Sequence, residues 1–282
     1  MKKKTILGLC LASALAAGTA GWLWWGNRAV MVHTISVTDR HLPRAFEGFR
    51  IAQISDLHNE VFGAGNGPLL TLLAEAKPDI IVITGDLIDS RHTDVDAALE
   101  FARGAVELAP VYYVPGNHES RIPEEFWMLE LSLDQMGVHV LRGERAILTR
   151  EGEAVALIGV DDPTFQDKNS AHWPGLLEAE LGRLREEELY SILLIHRPEL
   201  LETYAKAGMN LVFSGHAHGG QVRIPFVGGV IAPNQGFFPK YDGGLYTLGD
   251  TQMVVSRGLG NSLAPLRVNN RPELVLAELH CE

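Results

Sequence analysis

Five short polar clusters carry residue types that bind divalent metals: Asp56-Leu57-His58, Gly85-Asp86-Leu87-Ile88-Asp89, Gly116-Asn117-His118-Glu119, His196-Arg197-Pro198 and Gly215-His216-Ala217-His218-Gly219-Gly220-Gln221. They offer Asp56, His58, Asp86, Asn117, His196, His216 and His218 as ligands, a set of oxygens and imidazole nitrogens without thiolate. Such a set suits Mn²⁺ best, and Fe or Zn²⁺ next, whereas Ca²⁺ takes oxygen ligands alone. Seven ligands exceed one tetrahedral site but suffice for two adjacent ions if one carboxylate is shared, and Asp86 in its glycine-preceded turn is the natural bridge. Asp56 with His58, and His216 with His218, are spaced i, i+2, so extended backbone would project each pair to one side. Any one of these residues alone has an ordinary explanation as a helix cap or turn former. Their succession is what points to a dinuclear centre.

A pair of divalent ions roughly 3.5–4 Å apart acidifies a bridging water and clamps phosphate oxygens, so the hydroxide attacks phosphorus in line with the leaving oxygen. The chemistry expected is therefore phosphoester hydrolysis without a covalent enzyme intermediate. Arg197, Arg223 and Arg257 lie in or near the motif loops and are candidates to receive a second phosphate or a headgroup. Asp89 reads equally as a support for a ligand or as a helix cap, and Trp127 and Trp173 read as core residues.

The elements that must position these groups are apolar runs ending in the polar clusters: 50–55, 79–84, 111–114, 191–195 and 211–214, all rich in Ile, Val or Leu. Runs of this kind read as strands buried on both faces. Helical patterns lie between them at 68–76, 94–108, 124–136, 176–187 and 199–207. Alternating strands and helices indicate an α/β fold, in which ligands bind outside the carboxyl ends of the strands. From Gly219 to Glu278 short runs at 244–248, 253–256 and 274–276 are separated by glycine turns and suggest a second, partly antiparallel sheet. Two packed sheets flanked by helices result, in one domain over residues 29–282.

The chain has 282 residues, 46% of them hydrophobic and 21% charged, which is globular composition. Its 24 Lys and Arg against 35 Asp and Glu leave a net charge of −11, which argues against nucleic acid as a partner. No protein partner is indicated. Cys10 and Cys281 are the two cysteines, which excludes a four-cysteine zinc site. Residues 1–28 read as an N-terminal membrane anchor: three lysines, an uncharged stretch of 21 residues from Thr5 to Trp25, then Arg28. At about 1.5 Å per residue that stretch crosses a hydrocarbon core of roughly 30 Å. Trp22, Trp24 and Trp25 cluster at its far end, and the lysines predict a cytoplasmic amino terminus with the catalytic domain outside the cytoplasm. The competing reading is a signal segment cleaved after Ala14-Leu15-Ala16, with secretion.

In order along the chain, D-x-H, G-D-x-x-D, G-N-H-E, a lone His and G-H-x-H resemble the calcineurin-like metallophosphoesterase superfamily over about residues 45–279. The run after Gly220, with Arg223, Pro225, Ser256-Arg257-Gly258-Leu259-Gly260, Leu266-Arg267 and Arg271-Pro272-Glu273, resembles its bacterial membrane-associated phosphodiesterase branch. Ala217 stands where this branch often has Thr, and no twin-arginine signal precedes the domain. The resemblance implies a four-layer α/β/β/α sandwich with two metals, one on Asp56, His58, Asp86 and His218, the other on Asp86, Asn117, His196 and His216. His118 is then left for catalysis, with Glu119 or another carboxylate orienting its ring. It further implies a phosphodiesterase or pyrophosphatase, and the anchor alone biases its substrates toward membrane or envelope-linked ones. Three narrower alternatives accompany it: hydrolysis of a UDP-2,3-diacylglucosamine in lipid A synthesis, which needs a cytoplasmic active site; phosphomonoester hydrolysis; and a metal-binding scaffold without turnover.

Overall fold

A computed structural model describes residues 2–261 and 265–282. In chain order the strands are β1 (Met31–Asp39), β2 (Arg50–Ile54), β3 (Ile80–Thr84), β4 (Val111–Val114), β5 (His139–Val140), β6 (Glu144–Arg150), β7 (Glu153–Gly159), β8 (Tyr190–Leu194) and β9 (Leu211–Ser214). Four two-residue strands come next, β10 (Arg223–Ile224), β11 (Gly228–Gly229), β12 (Ile231–Ala232) and β13 (Gly236–Phe237), then β14 (Gly244–Leu248), β15 (Thr251–Val255) and β16 (Glu273–Cys281). The helices are α1 (Lys2–Arg28), α2 (Gly67–Ala76), α3 (Val95–Val106), α4 (Pro123–Gln135), α5 (Trp173–Leu184) and α6 (Leu201–Lys206).

Alternation along the strands builds the layers. In β2 and β3, Ala52, Ile54, Ile81 and Ile83 turn toward Leu69, Leu73, Phe101 and Leu129 of α2, α3 and α4. Ile51, Ile80 and Val82 turn the other way, against Leu157, Ile192 and Phe213. In β8 and β9, Leu193 and Val212 face Leu177, Leu181 and Tyr204 of α5 and α6. Each sheet is thus buried on both sides, which is why its strands read as continuous apolar runs. The result is the expected α/β/β/α sandwich of two mixed sheets. Between the sheets Gln53 is buried, its amide donating to Thr84 Oγ1 at 2.9 Å and to the Ser214 carbonyl at 2.8 Å, which ties the ends of β2, β3 and β9 together.

The first sheet has the order β1-β16-β2-β3-β4-β5 and the second β14-β15-β9-β8-β7-β6. This corrects the expected origin of the second sheet. Residues 274–276 belong to β16, which lies antiparallel to β2 in the first sheet, while the hairpin β6–β7 supplies the far edge of the second. Local sequence carries no signal for which neighbour a long-range strand takes. Strand β1 runs parallel to β16 and therefore opposite to β2, β3 and β4, so the chain leaves α1 and enters the sheet at the end where the motif loops emerge. From Ile6 to Arg28, α1 is long and apolar enough to cross a bilayer.

Candidate metal centre

The motif loops leave β2, β3, β4, β8 and β9 at one end of the two sheets and knit together there. The Asp56 N–H donates to the Gly85 carbonyl at 3.1 Å, the His58 N–H to the Asp86 carbonyl at 3.0 Å and the Gly215 N–H to the His196 carbonyl at 3.1 Å. The i, i+2 pairs do meet, but not through extended backbone. Asp56, His58, Asp86, His216 and His218 all take left-handed conformations, with φ between 47° and 64°. Strand pairing ends before each of them, and the left-handed residues fold the side chains back over the sheet ends, a strain that clusters at functional sites. Gly215 permits this crowding, because a Cβ there would collide with the Ser55 hydroxyl and the Asp56 carboxylate.

Hydrogen bonds set which ring nitrogen faces inward. His196 Nδ1 lies 2.7 Å from the Thr84 carbonyl, an acceptor, so this nitrogen carries the proton and Nε2 presents a lone pair. His58 Nδ1 lies 3.2 Å from Asp89 Oδ2, at ion-pair distance though without hydrogen-bond geometry, and its Nε2 faces the interior. His216 Nε2 lies 3.0 Å from Asn234 Oδ1 and 3.1 Å from Arg197 Nη1, so its Nδ1 is the nitrogen that faces the interior. Two pairs of ring nitrogens then confront each other: His58 Nε2 and His218 Nε2 at 3.3 Å, and His196 Nε2 and His216 Nδ1 at 3.2 Å. A cation placed among these nitrogens and the neighbouring carboxylates would find imidazole ligands from both rings of each pair.

The carboxylates complete each pair. Asp56 Oδ1 is 3.3 Å from His218 Nε2, while Asp86 Oδ2 is 3.1 Å from His196 Nε2 and 3.6 Å from His58 Nε2, within reach of both sets. The second Asp86 oxygen is occupied, accepting the His118 N–H at 2.8 Å. Burial opposes ionisation of Asp86, but the surrounding His196, His118 and His58 outweigh it and hold its carboxyl well below the usual carboxylate range. The buried Asn117 Oδ1 has no hydrogen-bond donor. Facing imidazole nitrogens, a shared carboxylate and an orphaned amide oxygen together form the donor set of a pair of divalent cations, so the residues fit the group.

His118 is buried beside this cluster, its Nδ1 accepting the Ser90 N–H at 3.0 Å. The neutral ring therefore carries its proton on Nε2. Burial pushes its pKa down to about 4. The expectation that Glu119 orients this ring is not met. Glu119 instead accepts from the backbone N–H groups of Asp86, Ile88 and Gly116 at 3.0, 3.1 and 2.8 Å, tying two motif loops together, and burial raises its pKa to about 7. The carboxylate near the His118 ring is Asp89, 3.4 Å away. Asp89 also accepts the N–H groups of Arg91 and His92 through Oδ1, closing a turn rather than capping a helix, since Asp94 caps α3.

A cavity of about 410 Å³ opens over Asp86, Asn117, His118, His216 and His218. Of the three expected arginines it brings in Arg197 alone. That guanidinium is buried, bonded to Asp162 at 2.7 Å and to Asn234 at 2.7 Å, and stacked 4.4 Å from the ring of Trp173. It braces Asn234 and so His216, and Trp173 packs as expected. Arg223 lies 3.1 Å from Asp242 and Arg257 lies 2.9 Å from Glu273, both outside the cavity lining. Their loops are near the motif in sequence, but buried carboxylates draw their side chains away. Two exposed arginines that the sequence did not single out, Arg91 and Arg121, line the mouth instead. Trp127 is 62% exposed on α4 rather than packed in the core. A larger cavity of about 800 Å³ lies between Arg185 and Asp250 at the opposite end of the second sheet, away from these ligands.

Comparison with known proteins agrees with this geometry. A family model described as calcineurin-like phosphoesterase matches residues 49–220. The chain is 31% identical over 288 residues to the metallophosphoesterase YkuE of Bacillus subtilis, covering 99% of this chain and 97% of that one. It is 28% identical over 235 residues to the phosphodiesterase YaeI of Escherichia coli, covering 82% of each. Among solved structures, TT1561 of Thermus thermophilus superimposes with a TM-score of 0.52 at 15% identity over 75% of this chain and 90% of that one, a likeness of fold.

Proposed function

The chain belongs to the calcineurin-like phosphoesterase family and is a hydrolase of phosphoester bonds, and from that premise we propose that it is a two-metal phosphodiesterase acting at a membrane. Asp56, His58, Asp86 and His218 hold one cation, and Asp86, Asn117, His196 and His216 the other. Mn²⁺ suits this mixture of carboxylate, amide and imidazole best. The observation that carries the reading is the pair of facing imidazole contacts at 3.3 and 3.2 Å with the Asp86 carboxylate in reach of both. When bound, two such ions supply Lewis acidity toward a phosphoryl oxygen and an acidified water.

The chain's own residues supply the rest. His118 offers its Nε2–H toward the cavity and stabilises charge on the leaving oxygen, its ring fixed by Ser90. Asp89 and Thr84 hold His58 and His196 in the metal-facing orientation. Arg197 and Asn234 do the same for His216. At the mouth, Arg91 and Arg121 meet the far side of a diester or a headgroup phosphate. Residues 29–282 are the catalytic domain, and α1 anchors it in the membrane with the site outside the cytoplasm. The test is hydrolysis of a nitrophenyl phosphodiester and its matching monoester by the full chain reconstituted with Mn²⁺. Chelator-sensitive turnover that favours the diester is expected, and preference for the monoester overturns the diester assignment.

A further inference from the structure

Between Gln221 and Asp242 the chain leaves the second sheet as a lobe built on the two small hairpins β10–β11 and β12–β13. It exposes Ile224, Phe226, Val227, Ile231, Phe237 and Phe238, with Phe226 wholly in solvent and Phe237 72% exposed. Phe226 and Phe238 hold left-handed conformations, φ 67° and 54°, which bulky residues rarely adopt. Neither the folded core nor the metal cavity accounts for these exposed phenylalanines.

Position indicates what covers them. Residues 267–269 are gripped from both sides. On one side Asn27, at the end of α1, donates to the Arg267 carbonyl at 2.9 Å and accepts the Arg267 N–H at 2.7 Å. On the other the Arg223 N–H at the base of the lobe donates to the Val268 carbonyl at 2.9 Å. Arg271 stacks 4.6 Å from the ring of Trp25. The lobe, the tryptophan end of α1 and the metal cavity therefore share one pole of the molecule, and Ile231, Ala232 and Pro233 of the lobe form part of the cavity wall.

Charge points the same way. In a chain of net charge −11, residues 222–241 contain no acidic residue, and although Arg223 and Arg257 are paired with Asp242 and Glu273 and Arg267 is buried, Lys240 and Arg271 remain as accessible cations at this pole. We propose that the lobe inserts its phenylalanines into the headgroup boundary of an anionic bilayer, the one in which α1 ends, so that the metal cavity opens against the lipid surface. This rests on reading α1 as an anchor. A phosphodiester carried by a lipid then reaches the metals without leaving the membrane, between aromatic residues that favour the boundary and the exposed cations Arg91, Arg121 and Lys240.

The test uses the full chain with Cys10→Ser and Cys281→Ser, reconstituted into vesicles of phosphatidylethanolamine and phosphatidylglycerol. An environment-sensitive dye is placed at Phe226→Cys or, as control, at Leu248→Cys at the end of β14 at the opposite pole. A nitroxide lipid labelled near the headgroup should quench the dye at 226 and leave that at 248 bright. In parallel, the Phe226→Ser/Phe237→Ser/Phe238→Ser variant should lose about tenfold in turnover of a lipid-borne diester and stay within about twofold on a soluble nitrophenyl diester. A chain that remains in the vesicles with an unquenched dye at 226 overturns the lobe while leaving the anchor standing. One that washes off the vesicles overturns both.

Discussion

Replacing His118 by Asn separates catalysis from metal binding. The ring of His118 lies close enough to His58 and Asp86 for all three to be rival ligands of one ion. Two observations set it apart. Its Nδ1 is engaged by the Ser90 N–H at 3.0 Å, and its neighbours His58 and Asp86 already belong to sets completed by Asp56, His218, His196 and His216. With burial holding its pKa near 4, the ring is neutral at neutral pH. It therefore acts as a buried neutral donor rather than as an imidazolium. Loss of one preorganised donor to developing negative charge costs about 10²–10³-fold in kcat, or roughly 3–4 kcal/mol, below the 10⁴-fold upper range of a full general acid. The assay measures kcat for diesters whose leaving groups span alkoxide to nitrophenolate, beside metal content by mass spectrometry. The variant should keep both metals, and its deficit should shrink as the leaving group becomes more acidic. Loss of one metal equivalent, or a deficit under about threefold with the poorest leaving group, refutes the reasoning.

Asp86→Ala should empty both metal positions, because one carboxylate oxygen reaches both histidine sets, whereas Asn117→Ala should lose no more than one; metal stoichiometry decides, and equal losses sink the shared role. Gly215→Ala should abolish metal binding and destabilise the fold by about 2–4 kcal/mol, since the new methyl must displace Ser55 or Asp56; wild-type metal affinity in that variant would contradict the packing. Glu273 is buried, which disfavours its charge, but His33 at 2.6 Å and Arg257 at 2.9 Å outweigh this and lower its pKa to about 2. A depressed carboxylate contributes stability above its ordinary value of 4.5 and loses it as pH falls toward 2. Glu273→Gln should therefore cost up to about 3 kcal/mol at pH 7 and progressively less below about pH 4.5 in denaturant titrations, and a pH-independent difference would rule the ion pair out as the cause.

What was legible in the sequence and what was not divides by the range of the interactions involved. The seven candidate ligands stand out in the sequence because each sits where an apolar run stops, and a polar residue at the end of a doubly buried strand has little structural reason to be there. Gly85 and Gly215 were visible as glycines, yet the left-handed turns at Asp56, His58, Asp86, His216 and His218 were not, since Asp and His adopt positive φ more often than other side chains but most of them do not. Helix spans came within about three residues because amphipathic spacing is local; β16 was assigned to the wrong sheet because pairing across more than two hundred residues is decided by the core, not by the strand itself. The arginines show the same division. Proximity in sequence favoured Arg223 and Arg257, but a guanidinium goes to the nearest buried carboxylate, and Asp242 and Glu273 captured them. Arg197 was captured as well, by Asp162, and in consequence became a brace for His216. Arg91 and Arg121, exposed at the mouth of the cavity, are therefore the cations placed to meet a substrate phosphate. If that is so, neutralising them should raise KM and leave kcat almost unchanged, whereas Arg197→Lys, which cannot hold Asp162 and Asn234 together, should lower kcat through a loosened His216.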